Sequence, residues 1–130
     1  PGMHEHRALA VVNDQLTVAE AAAMMAGQGI GAVVALKDGG MSGIFTERDL
    51  LVKVAAAGLD AATTQVAAVM TVDVATITVD DSVEAAVAKM RDGGFRHLPV
   101  VDGSGEPFAM LSLRDLIALL TEAPLTDALR

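Results

Sequence analysis

Two short stretches carry the side chains best suited to chemistry. Gly43-Ile44-Phe45-Thr46-Glu47-Arg48-Asp49-Leu50 reads against Ala109-Met110-Leu111-Ser112-Leu113-Arg114-Asp115-Leu116. Each sets a hydroxyl, Thr46 or Ser112, three residues before a carboxylate, Asp49 or Asp115, with an arginine, Arg48 or Arg114, in between. If the hydroxyl stands where a strand gives way to a helix, it caps that helix, and the amides there favour an anion. The carboxylate then lies one turn on, on the same side. It could accept hydrogen bonds from the two vicinal hydroxyls of a ribose. The same spacing is also a capping box, which needs no ligand. Taken alone, these residues leave both readings open.

The elements that must position them come from a repeat. The two stretches are offset by 66 residues, while Thr17-Val18 against Ser82-Val83, Met25 against Met90 and Gly29-Ile30 against Gly94-Phe95 are offset by 65. One residue is therefore inserted in the second copy, between Asp102 and Glu106. Each copy predicts a short strand (Ala10 to Val12; Ala75 to Val79) and a helix capped by Thr17 or Ser82. Val18, Ala22 and Met25 form the apolar face of the first helix, and Val83, Val87 and Met90 that of the second. Glycines at 27 and 29, and at 93 and 94, end these helices. Two hairpin strands follow: Ala32 to Leu36 with Met41 to Phe45, and Leu98 to Val101 with Phe108 to Leu111, each joined by a Gly- and Asp-rich turn. A last helix runs from Glu47 to about Ala57 in one copy and from Leu113 to about Thr121 in the other. The expected fold is mixed α/β (α+β): two β-α-β-β-α units packed through their sheets. A unit of about 60 residues buries too little surface to be comfortable alone. Packing two leaves clefts between them. The divisions are 8–58 for the first repeat, 59–70 for a linker, 71–122 for the second and 123–130 for a tail.

Composition narrows the function. The chain has 130 residues, 52% of them hydrophobic, with three Phe and no Trp or Tyr, so the core rests on Val, Leu, Ile, Met and Ala. A net charge of -8 repels a phosphate backbone, and few aromatics means few stacking platforms, so nucleic acid is not an expected partner. One small phosphate in a local basic pocket is still allowed. With no cysteine there are no disulfides or thiolate sites, which fits a cytoplasmic protein. No apolar run approaches the roughly 18 residues that cross a bilayer, and no signal-peptide pattern is present. His4, His6 and His97 lack a metal-ligand spacing. The acidic pairs Asp80-Asp81 and Glu47 with Asp49 read as caps or solvent-facing groups, because nothing beside them reads as a nucleophile. No phosphate-binding loop or nucleophile elbow occurs. The seven Met residues read as core filler.

The repeats resemble the cystathionine-β-synthase (CBS) domain family, over about Ala10 to Leu120. The resemblance rests on order and spacing: Thr17-Val18, Ala67-Ala68-Val69-Met70-Thr71, Ala75-Thr76-Ile77-Thr78-Val79, Phe95-Arg96-His97-Leu98-Pro99-Val100-Val101-Asp102, and the two junctions. It implies a regulatory module, not an enzyme, that binds AMP, ADP, ATP or S-adenosylmethionine in two related clefts, with no obligatory cofactor. It implies that Thr46 and Asp49 mark one cleft and Ser112 and Asp115 the other, the Asp holding the ribose. The base would lie against Val11, Val12 and Ala32, Val33 and Val34 in the first cleft, and against Thr76, Ile77, Leu98, Pro99 and Val100 in the second. Arg96 and His97 stand where copy one has Gly31-Ala32, so unequal clefts are expected, with phosphate served by Arg96, His97 and one of Arg48 or Arg114. Ala109 replaces the glycine found at position 43, which is expected to narrow the second cleft. Pairs in this family commonly self-associate, and Leu50, Val54, Leu116 and Leu120 would suit either a homodimer or burial within one chain. Two rivals stand beside the sensor: a ligand-free docking module for a regulated protein partner, and a small hydrolase using His97 and a carboxylate.

Overall fold

The computed structural model describes residues 9–121. The first repeat opens with β1 (Val11–Asn13), one residue later than the sequence suggests. Helix α1 (Val18–Gln28) follows. Thr17 caps it in the β region, its hydroxyl accepting from the Glu20 amide at 3.2 Å while the Glu20 carboxylate accepts from the Thr17 amide at 3.0 Å. This is a complete capping box. Gly29, at φ 65°, ends the helix in the left-handed region. Strands β2 (Ala32–Lys37) and β3 (Gly40–Thr46) then pair antiparallel. Asp38 and Gly39, at φ 53° and 83°, make the two-residue turn whose twist matches the strands. Strand β1 joins β2 in parallel, giving the order β1-β2-β3.

After β3 comes a single α turn, α2 (Glu47–Asp49), which continues as a π segment over Leu50–Ala55. The sequence predicted an ordinary helix here; the wider i→i+5 bonding gives no periodicity signal a sequence can show. The linker then returns to the same repeat. Its helix α3 (Val66–Val69) buries Val66 and Val69 among the first repeat's core residues. The Val66 and Ala67 amides donate to the Leu16 and Asp14 carbonyls. Thr71 and Ile44 exchange two backbone hydrogen bonds, at 2.8 and 2.9 Å.

The second repeat repeats the plan with β4 (Ile77–Thr78), α4 (Val83–Gly93), β5 (His97–Val101), β6 (Pro107–Ser112) and α5 (Leu113–Thr121). Strand β4 keeps only two residues of the five expected. Ser82 caps α4 and Gly94, at φ 71°, ends it. The inserted residue lies in the β5–β6 turn, where Asp102 Oδ1 accepts from the Ser104 and Glu106 amides. This sheet has the order β4-β5-β6.

The helix side of each sheet carries its own core. Val12, Val18, Met25, Val33 and Phe45 belong to the first, and Ile77, Met90, Leu98 and Leu116 to the second. Val34 and Ile44 lie outside the first of these cores and are nonetheless buried. They belong to the face by which the two repeats pack through their sheets. Among the described residues no helix is long and apolar enough to cross a membrane.

Candidate functional site

Both junction motifs form their capping boxes. Thr46 stands in the β region, its hydroxyl accepting from the Asp49 amide at 3.1 Å while Asp49 Oδ2 accepts from the Thr46 amide at 3.0 Å. Ser112 accepts from the Asp115 amide at 3.1 Å, and Asp115 Oδ2 accepts from the Ser112 amide at 3.1 Å. The backbone ties each junction to the entry of the strand beside it: the Glu47 amide donates to the Gly31 carbonyl, and the Leu113 amide to the Arg96 carbonyl.

Two cavities open between the repeats. One, of about 660 Å³, ends on Thr46, Arg48 and Asp49 and is closed from the other side by Phe95, Arg96 and His97. The second, of about 1040 Å³, ends on Ser112, Arg114 and Asp115 and is closed by Ala10, Ile30 and Ala32. Both volumes suit a nucleotide-sized molecule. Gly31, Glu47, Arg96 and His97 line both cavities and so form the partition between them. A Cβ at Gly31 would meet the Glu47 carboxylate and come within 3.4 Å of His97 Nε2, so a larger residue there would have to turn the Glu47 side chain aside.

The walls are partly crossed relative to expectation, which placed Ala32 with Asp49 and the β5 strand with Asp115. In the structure Ala32 lines the Asp115 cavity, while Arg96 and His97 at the entry to β5 line both cavities. The reason is the sheet-to-sheet packing, which turns each junction toward the strand entry of the other repeat. Val11, Val12, Val33, Val34, Thr76, Ile77, Leu98, Pro99 and Val100 line neither cavity. Val12 and Val33 lie in the first repeat's core, and Ile77 and Leu98 in the second's, with Val100 packed against it. Val34 and Pro99 are fully buried, and Val11 is exposed. Thr76 has its carbonyl 2.5 Å from the Lys89 ammonium.

Position 43 also has a different meaning from the one expected. Neither Gly43 nor Ala109 lines a cavity. A Cβ at Gly43 would lie 2.6 Å from the Thr71 carbonyl oxygen and 2.9 Å from Met70 Sδ. Glycine is there so that the linker can approach β3, not to shape a cleft. Of the helix positions expected to suit either a dimer face or burial within the chain, Leu50, Val54 and Leu116 take the second course, Leu50 packing against the first repeat's core. Val54 and Leu116 are buried, each 2% exposed, because they point into their own repeat's core. The exposed apolar residues are their neighbours Leu51, Val52, Leu113, Ile117 and Leu119. His4, His6 and the side chain of Leu120 lie outside the described residues.

The two carboxylates sit in different surroundings. Asp49 is 5% exposed. Besides Thr46, it accepts from the Thr71 hydroxyl at 3.1 Å and pairs with the Lys53 ammonium at 3.0 Å. Asp115 is half-buried. Lys53 and Thr71 were not foreseen. Lys53 carried a signal, the i,i+4 spacing from Asp49. Thr71 carried none, because its contact spans 22 residues.

Electrostatics converge on the partition. Four of the chain's nine Lys and Arg residues, namely Arg48, Lys53, Arg96 and Arg114, line the two cavities of an otherwise acidic protein. Burial pushes the His97 imidazole below its usual pKa; the Glu47 and Asp115 carboxylates pull it back up, and Arg96 adds to the downward push. Among the described residues no cluster of three His, Cys, Asp or Glu side chains could hold a metal ion.

Comparison with known proteins agrees with this fold. The family model described as CBS domain matches residues 3–56 and again 66–122. The Meiotically up-regulated gene 70 protein of Schizosaccharomyces pombe is 39% identical over 114 residues, which are 88% of this chain and 16% of that protein. The chain thus spans a small fraction of that relative's length. A solved CBS-domain structure from Burkholderia ambifaria MC40-6 superimposes with a TM-score of 0.86 at 31% identity, over 92% of this chain and 87% of that one. A CBS domain protein from Pyrobaculum aerophilum, solved in complex with AMP, gives a TM-score of 0.76 at 26% identity, over 90% and 94% of the two chains.

Proposed function

This chain belongs to the CBS domain family, and we propose that it is a regulatory sensor binding an adenosine-containing ligand (AMP, ADP, ATP or S-adenosylmethionine) between its repeats. One observation carries the reading: two cavities, each ending on a hydroxyl–carboxylate junction, share a partition that carries the Arg96 guanidinium and the His97 imidazole. A ribose against Asp49 or Asp115 would direct its phosphate toward that partition. The AMP held by the Pyrobaculum aerophilum relative supports the ligand class. Ligand binding would be transmitted by favouring one arrangement of the repeats, to the extent that the ligand binds that arrangement better. Leu51, Val52, Leu113 and Ile117, exposed along the rims of the two cavities, and the exposed Leu119 suit self-association into a homodimer beside the ligand sites. The role is binding, not catalysis, in a cytoplasm to which a cysteine-free chain is suited.

A ligand-free docking module is the second reading. It is favoured by Asp49, whose carboxylate is already engaged by Thr46, Thr71 and Lys53. Thermal unfolding against AMP, ADP, ATP, S-adenosylmethionine, NAD(H) and GTP separates the two. A ligand at 100 times its Kd adds about 2.7 kcal/mol, a rise of several degrees. A rise with one adenosine compound and none with GTP, reduced by Asp115→Ala and lost in the Asp49→Ala, Asp115→Ala double variant, is the expected result. No rise with any compound at millimolar concentration would leave the docking module standing.

A further inference from the structure

We infer that Lys53 is the specificity-determining residue of the first cleft, holding the Asp49 carboxylate until a phosphate-bearing nucleoside draws it away. The inference rests on the adenosine-ligand reading above and deepens it.

A carboxylate offers about four lone-pair positions. On Asp49 they are in use: Oδ2 accepts from the Thr46 amide at 3.0 Å and the Thr46 hydroxyl at 3.1 Å, and the Thr71 hydroxyl reaches Oδ1 at 3.1 Å and Oδ2 at 3.3 Å. The Lys53 ammonium holds Oδ1 at 3.0 Å. A ribose diol must displace one of these donors. Thr46 is fixed by the cap it makes, and Thr71 by its two backbone bonds to Ile44. Lys53 is the movable one, with a flexible four-carbon stem and a side chain 42% exposed. It also lines the first cavity, so it can leave Asp49 and remain at the ligand.

The chemistry of the incoming molecule then decides. An uncharged nucleoside replaces an ammonium with two hydroxyls and returns Lys53 to water, losing an ion pair at a nearly buried carboxylate. A nucleoside phosphate offers the displaced ammonium a new anion in the same cavity. The first cleft therefore discriminates for phosphate, and against neutral or cationic adenosine compounds. The second repeat does not repeat this lysine: the residue four beyond Asp115 is Leu119, which is 57% exposed.

Calorimetric titration of AMP and of adenosine into the Asp115→Ala chain, with and without Lys53→Met, isolates the first cleft. The methionine keeps the stem and removes the ammonium. The expected result is a fall of about tenfold in the preference for AMP over adenosine, the scale of one charged hydrogen bond, with adenosine itself bound more tightly. If both affinities fall together, or neither moves, Lys53 does not set specificity and the inference is overturned while the sensor reading survives. If none of adenosine, AMP, ADP, ATP or S-adenosylmethionine binds even the unaltered chain, the adenosine reading fails and takes this inference with it.

Discussion

The two repeats share a plan and a motif but not a neighbourhood. In the first, Phe45 is wholly buried and the linker wraps back over the sheet, adding Val66 and Val69 to the core. In the second, Leu111 stands at the matching position only half-buried, and the helix-side core is smaller among the described residues. The first repeat's last helix is a π segment with a lysine on its carboxylate; the second's is an α-helix with a leucine there. The same hydroxyl-x-x-carboxylate thus makes the same cap twice and meets different neighbours each time. The lesson is that a capping box and a ligand subsite are not rival readings of the motif. The cap fixes the carboxylate, and what surrounds it decides what it can hold.

The sharpest way to break this contrast is at its cores. Phe45→Ala removes a fully buried ring from the repeat that the linker braces, and should cost about 3–5 kcal/mol. Leu111→Ala, at the matching half-buried position, should cost clearly less than the 2–5 kcal/mol typical of a buried leucine. Urea unfolding of the two variants measures the difference. Equal losses would mean that the repeats are equally consolidated and that the linker adds nothing to the first.

A smaller effect tests the linker directly. Gly43→Ala places a methyl against the Thr71 carbonyl oxygen, a backbone atom that cannot step aside cheaply. It should cost about 1–3 kcal/mol, as overpacking does. The reverse change in the second repeat, Ala109→Gly, should cost only about 0.5–1 kcal/mol, because it merely loosens a strand. Melting temperatures report both. A Gly43→Ala chain that melts with the parent would show that the linker does not hold to β3 at Ile44.

The outline of the fold was readable because its signals are local or repeated. Thr17 and Ser82 announce caps, Gly29 and Gly94 announce ends, and the 65- and 66-residue offsets announce two copies. The junction residues Thr46, Asp49, Ser112 and Asp115 were found for the same reason. What could not be read depends on the packing of distant segments. The crossing of the cavity walls follows from how two sheets meet, which neither repeat encodes alone. The role of Gly43 follows from Thr71, 28 residues away in sequence. The π segment has no compositional mark, and the strand residues Val33 and Leu98 look alike whether they face a helix or a ligand.

The smallest effect concerns the one imidazole in the partition. His97 opens β5, and its counterpart in the first repeat is Ala32, so only the second repeat supplies a titratable ring there. Burial holds its pKa below the usual 6.5. The folded chain thus prefers the neutral ring, and the stability this preserves is present above pH 6.5 and lost as pH falls through the lowered value. A phosphate brought against Arg96 and His97 reverses the preference, because an adjacent anion favours the imidazolium. Binding should then take up a proton, and affinity for AMP should rise as pH falls from 8 toward 6, by less than the factor of about ten that one pKa unit allows. Titrations in two buffers of different ionisation enthalpy count that proton, and His97→Gln should remove it. The phosphate's own titration contributes equally to both chains, so the difference between them isolates the ring. Identical proton uptake in the two chains would mean that the phosphate does not reach the partition. The partition would then separate the clefts without reading the ligand, and the asymmetry between repeats would rest on Lys53.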